Sequence, residues 1–155
     1  MTDVYRLVRA ERAGEVLSGE GARLYGGRWN VPGMAVVYAS ESRALAVLET
    51  FVHLTLEARA MSFVLVTLSL PVRARLVKHT RDRPPRSLVA SQEIGRAWLA
   101  AELPSLALVV PSMIVPQEKN YVLNARHTLF ARVRVTARES FSFDDRLWGE
   151  RRRGA

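Results

Sequence analysis

Arg28 stands among the turn-forming residues Gly26, Gly27, Pro32 and Gly33, in the stretch Tyr25-Gly26-Gly27-Arg28-Trp29-Asn30-Val31-Pro32-Gly33. Glycine gives the backbone access to positive φ and lets a ligand approach it closely. A guanidinium grips phosphate through two parallel N–H donors. The stretch therefore reads as a loop able to grip phosphate, and its own residues do not separate a ligand loop from a structural one. A plain surface turn has little use for Trp29, which reads as the packing residue that holds the loop in place. An aromatic, Tyr38, and a carboxylate, Glu49, follow in the order arginine loop, strand tyrosine, helix glutamate.

Each downstream residue has a bland reading beside the functional one. On a helix, Glu49 has Leu45 and His53 four residues away and Val52 three away, so its carboxylate sits at the edge of the apolar face. Carboxylates are rarely buried without a partner, and periodicity alone favours a helix-edge glutamate paired with a basic side chain. Tyr38 reads as core packing with a satisfied hydroxyl, or as a stacking platform for a flat ring. Ser112, in Pro111-Ser112-Met113-Ile114-Val115-Pro116, follows a buried strand and is either a turn serine bonding its own backbone or the lining of a cleft mouth. No Gly-x-Ser-x-Gly elbow surrounds it, which argues against a catalytic triad. Asn120 and Asn124 flank a Tyr-Val-Leu step, and one of them reads as a structural cap. His53, His79 and His127 lack metal-ligand spacing with carboxylates, so no metal is expected. Gly19-Glu20-Gly21-Ala22-Arg23-Leu24 lacks the third glycine of a dinucleotide fingerprint and follows no convincing strand.

These residues need elements to hold them. Tyr5–Val8 predicts a first strand, Ala13–Leu24 a loop or short turn, and Val36–Ala39 a short strand. Ser40 predicts a helix cap with Glu41 in the first turn, followed by apolar positions Ala44, Leu45, Val47, Leu48, Phe51 and Val52 at a helical period. Ser62–Leu70 is a nearly continuous apolar run that suits a strand covered on both faces and stopped by Pro71. Arg81–Arg86 contains Pro84-Pro85 and predicts a loop. Ser91 predicts the cap of a second helix with Ile94, Ala97, Trp98 and Ala101 on one face, ended by Pro104. Ala107–Val110 predicts a buried strand and Leu129–Val135 a half-exposed one. Several strands with two good helices imply an α+β domain rather than regular βαβ repeats.

Composition sets the outer limits. The 155 residues fit a single domain, and 48% hydrophobic residues suffice for a core. No apolar run approaches the roughly 18–20 residues that span a bilayer, and the N-terminus lacks the pattern of a signal peptide. The sequence has no cysteine, so disulfides and thiolate metal sites are excluded. A cytoplasmic location is the simplest expectation. The net charge of +8 comes almost wholly from arginine, since only Lys78 and Lys119 are lysines. A basic chain suits nucleic acid, an acidic protein or phosphorylated metabolites. A basic nucleic-acid-binding module is therefore a competing expectation, although no helix carries a basic stripe. The arginines are scattered apart from Arg151-Arg152-Arg153, which reads as a flexible basic tail over 151–155.

The ordered set of these features resembles the RES-domain family over nearly the whole chain. The matching pieces are Tyr5-Arg6, Ser18-Gly19-Glu20-Gly21-Ala22, Gly26-Gly27-Arg28-Trp29-Asn30, Gly33, Val37-Tyr38-Ala39-Ser40, Leu45-Ala46, Leu48-Glu49, His53, Val110-Pro111-Ser112, Val115-Pro116, Asn120, Leu123-Asn124, His127, Phe143-Asp144 and Arg146-Leu147. The arginine, glutamate and serine that name the family fall on Arg28, Glu49 and Ser112. Asn124-Ala125 departs from the family's usual Asn-Pro.

The resemblance implies an ADP-ribosyltransferase-like mixed sheet flanked by a few helices. It also implies a bacterial toxin that depletes NAD+ by cleaving the nicotinamide–ribose bond, as a glycohydrolase or phosphorylase. The alternative is transfer of ADP-ribose to a protein. NAD+ is then a substrate and no cofactor is needed. The implied partner is an antitoxin with an Xre-type helix-turn-helix, a homodimer stays open, and neither direct nucleic-acid contact nor a membrane is expected. The implied site set is Arg28, Tyr38, Glu49, Ser112 and Asn120. Arg6 is a second phosphate contact or, equally, a structural ion pair. Nicotinamide leaves as a neutral group, so one carboxylate suffices where most glycosidases use two. Glu49 would stabilise the oxocarbenium-like ribose or orient the acceptor, Arg28 would hold the pyrophosphate, Tyr38 would stack on nicotinamide or the ribose edge, and Ser112 and Asn120 would fix orientation.

Overall fold

In the computed structural model, residues 2–72, 74, 76–79 and 81–149 are described. Seven strands form one sheet: β1 (Thr2–Arg9), β2 (Val36–Ser40), β3 (Phe63–Leu70), β4 (Leu76–Lys78), β5 (Ala107–Pro111), β6 (Lys119–Asn124) and β7 (Arg134–Phe141). Their order across the sheet is β4-β5-β6-β2-β1-β3-β7. Only β4 and β5 run parallel; every other pair is antiparallel, so the sheet is mixed. Three helices accompany it: α1 (Glu20–Tyr25), α2 (Arg43–Phe51) and α3 (Leu88–Ala100). This is the α+β architecture that the strand and helix patterns predict.

Period-2 alternation divides the side chains between the two faces of the sheet. Val37 and Ala39 enter a cluster with Val4, Val66, Leu68 and Leu123, covered by Val16, Leu17, Phe130 and Val133. On the other face, Val36 and Tyr38 join Leu108, Val110 and Val122 beneath Trp98 and Ile94 of α3 and Trp29 of the arginine loop. Tyr5, Leu7 and Leu65 lie beneath Ala46 and Val47 of α2. Helices α2 and α3 thus share one face and leave a junction between them. Here β1 and β2 pair only at Tyr5 and Ser40, whereas β1 and β3 pair along their whole length.

Four expectations move. The Ala13–Leu24 segment contains a 3-10 turn over Ala10–Glu15 and helix α1. Helix α2 is capped by Ser42, whose hydroxyl accepts from the Leu45 N–H at 3.1 Å. Ser40 is still in the β2–β6 ladder opposite Asn120, so it cannot cap. Helix α3 starts at Leu88, capped by Ser87, and Ser91 lies buried inside it; Leu88 and Val89 of that first turn are exposed. At Leu129–Val135 the chain makes a 3-10 turn over Thr128–Arg132, fixed by His127 Nδ1 accepting from the Leu129 N–H. The half-exposed strand follows as β7. Strands β4 and β6 were not anticipated; both are too short or too polar to show a pattern. The basic tail at 151–155 lies outside the described residues.

Candidate active site

The arginine loop is organised around Asn30. Its amide is fully buried, and Nδ2 donates to the carbonyls of Ala22 (2.9 Å), Val31 (3.2 Å) and Met34 (3.2 Å). Oδ1 accepts from the Tyr38 hydroxyl at 2.7 Å, and that hydroxyl accepts from the Trp29 N–H at 3.0 Å. Burial pushes the Tyr38 phenol up, so it stays protonated and able to donate. The Tyr38 hydroxyl is therefore committed to the loop. Gly27 shows the fit from the other side, because a Cβ there would lie 2.8 Å from the Tyr38 oxygen. The glycine admits the protein's own tyrosine, where composition suggested room for a ligand.

Helix α3 backs the loop from behind. Gln92 Nε2 donates to the carbonyls of Gly27 (3.0 Å) and Asn30 (3.3 Å). One turn on, Gly95 packs so tightly that a Cβ would lie 1.6 Å from the Trp29 carbonyl oxygen. Trp29 is buried against His79, with ring centroids 5.9 Å apart. Arg28 projects from this frame. Its Nη2 donates to the carbonyls of Pro85 (3.3 Å) and Arg86 (3.4 Å) and to Met113 Sδ at 3.0 Å. Among the described residues its Nε is buried and unpartnered, and it forms no ion pair. A guanidinium held only by carbonyls and a thioether keeps its full charge for an anion.

Met113 links Arg28 to the second half of the site, since the next residue back is Ser112. The Ser112 hydroxyl is fully buried. It accepts from the N–H groups of Ile114 and Val115, each at 3.0 Å, and donates to Glu49 Oε1 at 2.7 Å. Asn120 Nδ2 donates to the same oxygen at 2.6 Å. The turn reading of Ser112 holds, since it bonds its own backbone, and that turn aims its proton at Glu49; buried as it is, Ser112 is not seen at an open cleft mouth. Among the described residues no basic side chain pairs with Glu49. Its partners are neutral, and among the described residues nothing donates to Oε2. Helix α2 supplies the geometry, with its N-cap Ser42 also donating to Glu118 Oε2 at 2.6 Å. Its Ala46 packs in one cluster with Leu7 of β1 and its Leu45 is buried, which leaves Glu49 at the apolar edge.

Arg6 on β1 donates from Nη1 to the Tyr38 carbonyl at 2.9 Å, across the place where β1 and β2 part. Burial pushes its pKa down. It forms no ion pair among the described residues, where its hydrogen-bond partner is that carbonyl. The fold thus gathers Glu49, Ser112 and Asn120 into direct contact, brings Arg28 beside them through Met113, and connects Tyr38 and Arg6 through backbone and loop. Asn124 is the structural asparagine, with Oδ1 accepting from the Arg126 N–H at 3.0 Å. Sequence reasoning missed Asn30, Gln92, Gly95 and Ser40 as parts of this site. Asn30 alone carried a signal, as a polar residue inside a loop already singled out. No three of the described His, Asp and Glu side chains gather to hold a metal ion. No helix among the described residues is long and apolar enough to cross a membrane.

Known proteins share this architecture. The structure resembles a chain in the crystal structure of the M. tuberculosis MbcT–MbcA toxin–antitoxin complex, with TM-score 0.68 and 19% identity over 90% of this chain and 84% of that one. The sequence is 35% identical to a protein named Toxin Res from Yersinia enterocolitica, covering 93% of this chain and 98% of the relative. It is 36% identical to the Prs ADP-ribosylating toxin of a Sphingobium species, covering 94% and 96%. The RES domain model matches residues 3–144. With a family match of that extent, with the glutamate and serine in contact and the arginine bonded to the residue after that serine, this chain belongs to the RES domain family.

Proposed function

We propose that this chain is a toxin that cleaves the nicotinamide–ribose bond of NAD+, with Glu49 acting on the ribose. The observation that carries the reading is the state of the Glu49 carboxylate. One oxygen is held by two neutral donors, Ser112 and Asn120. Among the described residues the other has no donor, and no cation pairs with the group. Loss of nicotinamide leaves positive charge on the ribose, and an unneutralised carboxylate oriented beforehand stabilises that charge most as it develops. The leaving group is neutral, so no second carboxylate is needed as an acid. Arg28 supplies the pyrophosphate clamp; an incoming phosphate oxygen is a stronger acceptor than the carbonyls and thioether that hold it now. Arg6, held on the Tyr38 carbonyl, is proposed as a second cation for the phosphates. The Tyr38 ring, its hydroxyl fixed in the loop, offers a face for stacking.

Two acceptors separate the readings within this chemistry. Water or inorganic phosphate gives free ADP-ribose products. A protein side chain gives ADP-ribosylation, a reading favoured by the name of the Sphingobium relative. The names of the relatives and the complex in which the structural neighbour was solved support an antitoxin partner, for which we propose the Xre type. The deciding experiment incubates the purified chain with NAD+, with and without phosphate, and with a bacterial lysate plus labelled NAD+. Free nicotinamide with ADP-ribose or its phosphorylated form supports hydrolysis or phosphorolysis; labelled protein supports transfer. Intact NAD+ in every arm, from a chain folded by circular dichroism, sinks the proposal.

A further inference from the structure

Glu49 is aimed by two donors, and each donor is itself aimed. Ser112 is fixed by its own turn, because two backbone N–H groups occupy its oxygen and leave its proton for Glu49. Asn120 has no such turn. Its amide is oriented from across the ladder, where Ser40 Oγ donates to Asn120 Oδ1 at 2.7 Å. Ser40 ends β2 directly opposite Asn120 in the antiparallel register, so the two side chains share a face. Ser40 is 3% exposed, and water has little access to replace its hydroxyl. With Oδ1 held, Nδ2 is the end of the amide that meets Glu49 Oε1 at 2.6 Å. The opposite orientation would set an amide oxygen against a carboxylate oxygen, two acceptors with no proton between them.

We infer that Ser40 is a positioning residue that acts through Asn120 to hold the Glu49 carboxylate in its working orientation. Its hydroxyl touches neither Glu49 nor the space beside Arg28, so its effect passes through the amide. The inference rests on the reading of Glu49 as the group that acts on NAD+. Removal of the hydroxyl takes from the amide oxygen of half-buried Asn120 the donor that Ser40 supplies, and the amide can then turn away from Glu49. The consequence belongs to the reacting centre rather than to pyrophosphate binding, so it appears in kcat and leaves KM nearly unchanged.

The test is a double-mutant cycle on nicotinamide release by the full chain, with thermal melting of every variant. Ser40→Ala is expected to lower kcat about 3- to 10-fold, the scale of one net hydrogen bond, with KM within about twofold of wild type. Ser40→Thr, which keeps the hydroxyl, is expected to recover most of the loss. In an Asn120→Ala background, Ser40→Ala is expected to add nothing. An equal loss in both backgrounds overturns the inference, as does a folded Ser40→Ala chain with wild-type kcat. A Ser40→Ala chain that fails to fold assigns Ser40 to the core and overturns it too. Exchange of the Asn120 side-chain amide protons, read by NMR, needs no turnover. Faster exchange in Ser40→Ala supports the inference even if NAD+ is not the substrate, and unchanged exchange overturns it. Wild-type turnover tests the NAD+ reading separately.

Discussion

Gly95→Ala sets two physical expectations against each other. Helix α3 is a regular helix, and replacing a glycine in a helix interior by alanine ordinarily stabilises by about 1 kcal/mol. At Gly95 the new Cβ would sit 1.6 Å from the Trp29 carbonyl oxygen and 2.7 Å from its carbonyl carbon, both backbone atoms that no rotamer change can move. Real Cβ atoms do not come within 3.0 Å, so α3 and the arginine loop must part by about 1.4 Å. Gln92 lies one turn earlier on the same face of α3. Its bonds of 3.0 and 3.3 Å to Gly27 and Asn30 would then lengthen beyond hydrogen-bonding range. Two hydrogen bonds at about 1 kcal/mol each and overpacking at about 1–3 kcal/mol outweigh the helix-propensity gain. The net expected loss is about 2–4 kcal/mol, a fall in melting temperature of roughly 5–15 °C for a chain of this size. Melting followed by circular dichroism reads it, with Gly14→Ala as the control, because a Cβ there meets nothing within 4 Å. A Gly95→Ala chain that melts at or above the wild-type temperature refutes the claim that α3 is seated on the loop backbone.

Other consequences can be measured in parallel. Glu49→Gln keeps the shape that Ser112 and Asn120 grip but removes the charge; nicotinamide release should fall about 100- to 1,000-fold with little change in melting, and turnover within threefold of wild type would remove Glu49 from the chemistry. Arg28→Lys gives up the planar fork, so KM for NAD+ should rise about tenfold with a smaller change in kcat, about one lost charge-assisted bond; steady-state kinetics checks it. Tyr38→Phe keeps the ring but strips the buried Asn30 oxygen and the Trp29 N–H of their partner, at about 1–3 kcal/mol, so melting should drop while a stacking role survives in an unchanged KM. His79 carries a pKa held below its ordinary 6.5 by burial and then by Arg81. The unfolded chain therefore binds the proton more readily, and stability should fall as pH drops through about 6.5 and level off below the folded value. Urea midpoints of His79→Asn between pH 7 and 5 should show a shallower slope than wild type.

Some of this protein is written in short stretches of chain. The apolar run at Ser62–Leu70 and the block at Ala107–Val110 have strand character because continuous apolar side chains suit a strand buried on both faces. The period of Ala44 to Val52 gave α2 and set Glu49 at its apolar edge, and Trp29 read correctly as packing. Arg28 stood out by residue type and loop context, whereas Glu49 and Ser112 had bland readings of at least equal weight and joined it as a set only through the family resemblance. Local sequence misled where side chains serve distant partners. Ser40 has the type of a cap, yet its hydroxyl belongs to Asn120, which lies 80 residues away. The partners of Glu49 come from 63 and 71 residues away, and a helical period carries no trace of them. Gly95 in a helix and Gly27 in a loop look alike as letters, and only the approach of Trp29 and Tyr38 shows why each must lack a Cβ. The sequence by itself determined where the apolar strands and helices α2 and α3 form and which residue types are able to do chemistry, because propensity and periodicity act over a few residues; it left β4, β6 and α1 unmarked. Tertiary structure decided which oxygen of Glu49 is held, what aims Asn120 and what Arg28 leans on, because those bonds join strands and helices that meet only when the sheet is assembled.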